Sequence, residues 1–123
     1  IGNWEKSQGS AWMEKWLDEY PDEIELVISN NDDMALGAAD ALERKKITRP
    51  IKIVGIDGTP QGIEGLNSGK LFGTVQCDSD EYANVMFQIA AAAGLGQNVQ
   101  EIVSLEGGKY YNCRQTALTA DKN

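Results

Sequence analysis

Residues 27–42 read VISNNDDMALGAADAL, and residues 51–75 read IKIVGIDGTPQGIEGLNSGKLFGTV. Each stretch begins with a short apolar run rich in β-branched residues, passes through a polar turn and continues with apolar residues at helical spacing. In the first, the apolar run Ile24 to Ile28 predicts a buried strand. Asp32 and Asp33 then open a helix, where the macrodipole favours negative charge. Met34, Ala35, Ala38, Ala41 and Leu42 carry that helix to about Lys45. In the second, Ile51 to Ile56 predicts a strand and Thr59 caps a helix with Pro60 at its first position. Ile63 and Leu66 form the buried face of that helix, Gly69 ends it, and Phe72 to Gln76 predicts a third strand.

Working outward, Trp12, Met13, Trp16, Leu17 and Tyr20 recur at helical spacing, with Asn3 able to cap the start and Pro21 to stop the run. Residues 4–20 therefore read as an amphipathic helix. On the other side, Tyr82, Val85, Met86, Ile89, Ala90 and Ala93 predict a fourth helix closed by Gly94 and Gly96. The tail from Val99 to Leu118 is less regular, with a strand expected near Tyr110 to Cys113. Helices alternating with strands through short connections imply βαβ crossovers. The expected fold class is α/β, a parallel sheet covered by helices on both faces.

The 123 residues fit one domain and carry a formal net charge of −8. That balance opposes binding to nucleic acid or to anionic lipid, both of which need clustered Lys and Arg. No apolar run approaches the about 18 residues that span a membrane. Histidine is absent, which removes the commonest general base and metal ligand. There is no Gly-x-Ser-x-Gly elbow, and Gly58-Thr59-Pro60 lacks the lysine and spacing of a phosphate loop. An enzyme is not expected, and no cofactor is required. Cys77 and Cys113 make no metal or redox motif; they read as free buried thiols, or as a pair in an oxidising compartment. Both are expected at strand ends. Ile1 does not resemble a natural start, so the chain reads as a processed or cut fragment.

In an open parallel sheet, ligands bind beyond the carboxyl ends of the strands. Asn31 and Asp57 fall just past two consecutive predicted strands. An amide that donates and accepts, beside a carboxylate that accepts, suits sugar hydroxyls. Trp4 offers a flat apolar face for a sugar ring. Each has a plainer alternative: Asn31 as a helix cap, Asp57 as a turn residue before Gly58, and Trp4 as an exposed terminal aromatic. Asp32 and Asp33 read as first-turn dipole partners and not as a metal pair.

The two quoted stretches, in their order and spacing, resemble the second lobe of the type I periplasmic-binding-protein fold over most of residues 4–78. Trp4-x-x-x-Gln8, followed by Met13-x-x-Trp16-Leu17, resembles the glucose/galactose-binding branch of ABC-transporter sugar-binding proteins. The resemblance implies that Trp4 stacks on the sugar and that Asn31 and Asp57 hydrogen-bond it. Cys77 takes a further sugar-contact position, where that branch has a polar amide. Glu25 matches a bidentate calcium ligand whose companion loop would lie upstream of Ile1, so calcium is implied only in the full-length protein. The implied organisation is residues 1–77 as a partial C-terminal lobe, 78–113 as a segment packing on an N-terminal lobe outside this chain, and 114–123 as a return crossover and tail. The implied partners are a monosaccharide, an ABC transporter permease and a chemotaxis receptor. The implied location is extracytoplasmic, in a bacterial periplasm or lipid-anchored at the cell surface. The alternative is the effector-binding domain of a LacI-type transcription regulator, which shares the fold and resembles the run Asn31 to Ala38.

Overall fold

The computed structural model describes residues 1–120. They form two compact units, one of Ile1–Gln76 with the chain from Thr116 onward, and one of Cys77–Gln115.

The first unit holds α1 (Lys6–Glu19), β1 (Leu26–Ile28), α2 (Asp32–Arg44), β2 (Lys52–Asp57) and α3 (Pro60–Asn67). β3 (Gly73–Cys77) leaves it and β4 (Gln115–Thr119) re-enters it. The strands form an open sheet in the order β1-β2-β3-β4, flanked by helices. β1 and β2 are parallel with Val27 opposite Ile53, and β2 and β3 are parallel with Asp57 opposite Gln76. The backbone N–H of Ala120 donates to the Phe72 carbonyl at 2.8 Å just beyond β4.

The core of this unit is Met13, Leu17, Val27, Leu36, Ile53 and Leu71 with the alanines 35, 38, 39 and 41. The small residues of α2 let α1 lie almost in backbone contact with it. A Cβ on Gly37 would come within 2.0 Å of the Lys6 carbonyl oxygen, and one on Gly9 within 2.4 Å of that of Met34.

A second constraint sits at the start of α2. Asp32 is fully buried. Its carboxylate accepts from the Thr59 N–H at 2.8 Å, the Thr59 hydroxyl at 3.2 Å and the Thr74 hydroxyl at 2.6 Å. It therefore ties α2 to the β2–α3 turn and to β3. Space for it exists because residues 55 and 62 are glycines; a Cβ would lie 2.3 Å and 2.0 Å from its two oxygens. Thr59 in turn caps α3 through its hydroxyl, which accepts from the Gly62 N–H at 3.0 Å. The sequence reading saw the cap and the Pro60 start correctly, but gave Asp32 only a dipole role.

Three boundaries differ from expectation. α1 starts at Lys6 without a side-chain cap, because Asn3 and Trp4 take up left-handed conformations (φ 49° and 59°) in a turn before it. β1 begins at Leu26, not Ile24, because the Ile24 and Pro21 carbonyls accept from the Arg49 guanidinium instead of joining the sheet. The strand expected at Tyr110 to Cys113 is not formed. Gly107 and Gly108, both at positive φ, turn the chain so that Tyr110 makes a single antiparallel bridge to Glu106, and pairing with the sheet begins only at Gln115.

In the second unit, α4 (Ser79–Gly94) is capped by Asp78, whose side chain accepts from the Glu81 N–H at 3.0 Å. A short helix, α5 (Val99–Ile102), follows. Val85, Ala92 and Val103 are buried, whereas Tyr82, Met86 and Phe87 stay exposed.

Asp32→Ala is expected to destabilise the first unit by about 2–4 kcal/mol, since it strands the Thr74 hydroxyl and the Thr59 N–H without an acceptor. Gly62→Ala, which drives a methyl group into the same carboxylate, is expected to cost about 1–3 kcal/mol. Urea unfolding followed by tryptophan fluorescence measures both.

Candidate functional site

Parallel pairing of β1 with β2 places the residues that follow them along one sheet edge, the carboxyl edge. Asn31 and Asp57 both lie there, three residues past β1 and at the last position of β2.

Asn31 is buried and caps α2, its side-chain oxygen accepting from the Met34 N–H at 2.9 Å. Its amide nitrogen donates to the Trp4 carbonyl at 3.2 Å. The plainer reading of Asn31 as a helix cap thus holds, and the amide also anchors the turn that presents Trp4. With its backbone held in this way, the Trp4 side chain extends into solvent, 70% exposed. One bond to each side of the Asn31 amide leaves an N–H and a lone pair uncommitted among the described residues.

Asp57 is the converse case. It is exposed, and its carboxylate accepts no hydrogen bond from any described residue. Its backbone lies at φ +113°, a region that L-residues rarely adopt. The strain persists because Gly58, at φ +67°, must turn tightly against Gln76 while Thr59 is fixed to Asp32. Partial loss of water at the sheet edge pushes the Asp57 carboxyl up from its ordinary range, and the charges of Asp32 and Asp33 add to this. An acceptor so placed, strained and without a partner, is suited to receiving donors from outside the chain.

Cys77 ends β3 and is the first residue of the second unit, where it is half-buried. Glu25 is exposed just before β1. Among the described residues no group of three or more Cys, Asp or Glu is placed to hold a metal ion, so the residues present do not make a calcium site around Glu25. A cavity of about 360 Å³ in the first unit is lined by Ile1, Trp12, Trp16, Ile28, Met34 and neighbouring groups, and not by Trp4, Asn31 or Asp57. Its mostly apolar wall offers few partners for hydroxyl groups. Among the described residues no helix is long and apolar enough to cross a membrane.

The residue that the sequence reading undervalued is Asp32. A signal was present in Gly55, Gly62, Thr59 and Thr74, two positions without a Cβ and two hydroxyl donors, but only the folded chain shows that all four face one carboxylate.

Residues 1–98 match the periplasmic binding protein domain family. The chain is 32% identical over 101 residues to the D-galactose/methyl-galactoside binding periplasmic protein of Haemophilus influenzae, covering 81% of this chain and 30% of that protein. It is similar to the structure of an ABC transporter solute binding protein from Bacillus halodurans with bound myo-inositol (36% identity, TM-score 0.72, 78% of this chain and 33% of that one). It is also similar to a periplasmic solute binding protein from Actinobacillus succinogenes with bound D-allose (26% identity, TM-score 0.80, 98% and 39%). The chain therefore spans roughly a third of the length of these relatives.

Asp57→Gly is expected to raise stability by about 1 kcal/mol through relief of the left-handed strain, read from the shift in urea midpoint. The carboxyl carbon of Asp57 is expected to titrate above ordinary aspartates by NMR, and Asp33→Asn to move it downward. Because the folded state holds this proton more tightly, Asp57 contributes stability at acid pH that fades as pH rises from the ordinary aspartate range through its raised folded value.

Proposed function

The chain belongs to the periplasmic binding protein family, and from that premise we propose that it forms part of the extracytoplasmic sugar-binding component of an ABC transporter. It binds and does not catalyse. The observation that carries this reading is Asp57, a strained carboxylate without a partner among the described residues, on the same sheet edge as the Asn31 amide and the Trp4 turn. A carboxylate accepts from two hydroxyls, the amide offers one donor and one acceptor, and the indole covers the C–H face of a ring. That set suits a neutral polyhydroxylated ring.

The finer assignment is a monosaccharide such as glucose or galactose. It is supported by the Trp4-x-x-x-Gln8 opening and by the similarity to a galactoside-binding relative. Relatives with myo-inositol and D-allose define the competitors against which it is to be judged. In the two-lobed architecture that this reading adopts, closure of one lobe on the other surrounds the sugar and excludes water. Residues 1–77 are assigned to one lobe, with Asn31, Asp57 and Trp4 forming a single wall. A permease is the partner that would accept the loaded protein.

A single wall supplies about half the contacts and leaves them in water, where each hydrogen bond contributes little net energy. The 123-residue chain alone is therefore expected to bind glucose, galactose, D-allose or myo-inositol only in the millimolar range, about −4 kcal/mol. The same residues within a complete two-lobed protein are expected to reach the micromolar range, about −8 kcal/mol, with Asp57→Ala weakening binding there by at least about tenfold. Titration calorimetry, with Trp4 fluorescence as a second readout, measures these constants. Micromolar binding by the monomeric chain would show that one lobe suffices. Unchanged affinity in Asp57→Ala would remove the proposed site.

A further inference from the structure

The second unit is entered at Cys77 and left at Gln115, and its two ends are fastened to each other. The Asp78 N–H approaches the Arg114 carbonyl at 3.4 Å, and the Arg114 guanidinium donates to the Asp78 carboxylate at 2.8 Å. Glu81, in the first turn of α4, accepts from the Arg114 N–H at 3.2 Å and from the Tyr111 hydroxyl. Residues 111–114 are thus strapped across the start of α4 by four interactions. Cys77 immediately precedes one partner of this strap and Cys113 the other. Both thiols are free and half-buried.

We propose that Cys77 and Cys113 are a redox pair that forms an intramolecular disulfide, clipping the outgoing and returning segments at the neck of the second unit. The geometric basis is the backbone approach of residues 78 and 114, which brings the preceding residues into the same short stretch of the strap. The oxidant is a disulfide, either a small molecule or a protein. One cysteine thiolate attacks a sulfur of that disulfide, forming a mixed disulfide and releasing one thiol. The second cysteine thiolate attacks the mixed disulfide, forming the Sγ–Sγ bond and releasing the second thiol. Two protein thiols are oxidised, one external disulfide is reduced to two thiols, and the two protons pass to the released sulfurs.

The thiolate is the reactive form. Loss of water around the Cys113 thiol, followed by the charges of Glu81 and Asp78 and by the Cys77 thiol, raises its pKa above the ordinary range. Closure is therefore slow at neutral pH and accelerates as pH rises toward that raised value. Tyr111 also faces Cys113, and Arg114, the next residue, pairs with Asp78 and Glu81. The proposed extracytoplasmic location is an oxidising one, but the chemistry of the pair does not depend on it.

The test reacts the reduced 123-residue chain with oxidised glutathione from pH 7 to 9.5, followed by acid quench, alkylation, non-reducing electrophoresis and peptide mapping. The expected product is a monomer lacking two hydrogens, with Cys77 linked to Cys113. In Cys113→Ser, a stable glutathione adduct should accumulate at Cys77, because nothing resolves it. In urea, the wild-type mixed disulfide should close at least about tenfold more slowly than in the folded chain. Persistent adducts at both cysteines, bonds between molecules only, or equal closure rates with and without urea would overturn the pairing. The pairing is judged on these products and rates alone; sugar binding, to which Cys77 is itself a candidate contributor, is read separately by titration on the reduced chain.

Discussion

One buried carboxylate organises the carboxyl edge of the sheet in this chain. Asp32 sits at the first turn of α2 with no exposure to solvent, and a charge in that position is costly unless it is fully solvated by the protein. Three donors from Thr59 and Thr74, with the positive end of the α2 dipole, provide that solvation. The requirement then propagates. Residues 55 and 62 must lack side chains, Thr59 must stand where it both caps α3 and meets Asp32, and Thr74 must face inward from β3. The ends of three elements are fixed with respect to one another by a single group.

That fixation explains why Asp57 can be held in a conformation that an aspartate disfavours. The turn after β2 is pinned at Thr59, and Gly58 already occupies the left-handed position next to Gln76. The intervening strain falls on Asp57. Nothing in the described chain repays it by hydrogen bonding to the carboxylate, so the arrangement costs stability and leaves an acceptor free. A strained side chain without a partner at the carboxyl edge of a parallel sheet is what a binding site needs and a purely structural turn does not. Asn31 divides its amide between two tasks, starting α2 and fixing the Trp4 turn, so that a helix cap and a candidate ligand contact are the same residue.

Among the exposed apolar groups, two sets stand out. On the first unit they line β1 and the adjoining face of α1, at Leu26, Ile28, Trp16 and Tyr20, where the sheet has an open edge. On the second they line α4, at Tyr82, Met86 and Phe87. Both surfaces have the character of elements that stack against a further layer. The chain spans only about a third of its relatives' length.

By itself the sequence determined the order of elements from α1 to α4, the parallel pairing of β1, β2 and β3, and the carboxyl-edge position of Asn31 and Asp57, but not α5 or β4. These follow from periodicity, from the Thr59-Pro60 helix start and from the short connections that force crossovers, all of which are local. It also carried the family likeness in residues 27–42 and 51–75. The Asn31 cap was visible in sequence as one of two readings; the folded chain shows the cap and adds the bond to Trp4. Other features were decided only in three dimensions. The left-handed turn at Asn3 and Trp4 depends on a carbonyl captured by a side chain twenty-seven positions away. The start of β1 depends on Arg49 reaching back to Ile24. The place where the tail rejoins the sheet depends on residues 111–114 being claimed by Asp78 and Glu81. The central role of Asp32 depends on Thr59, Thr74 and two glycines converging from separate elements. Each is a long-range contact, and a sequence pattern records what a residue can bond to but not which distant group the fold will bring to it.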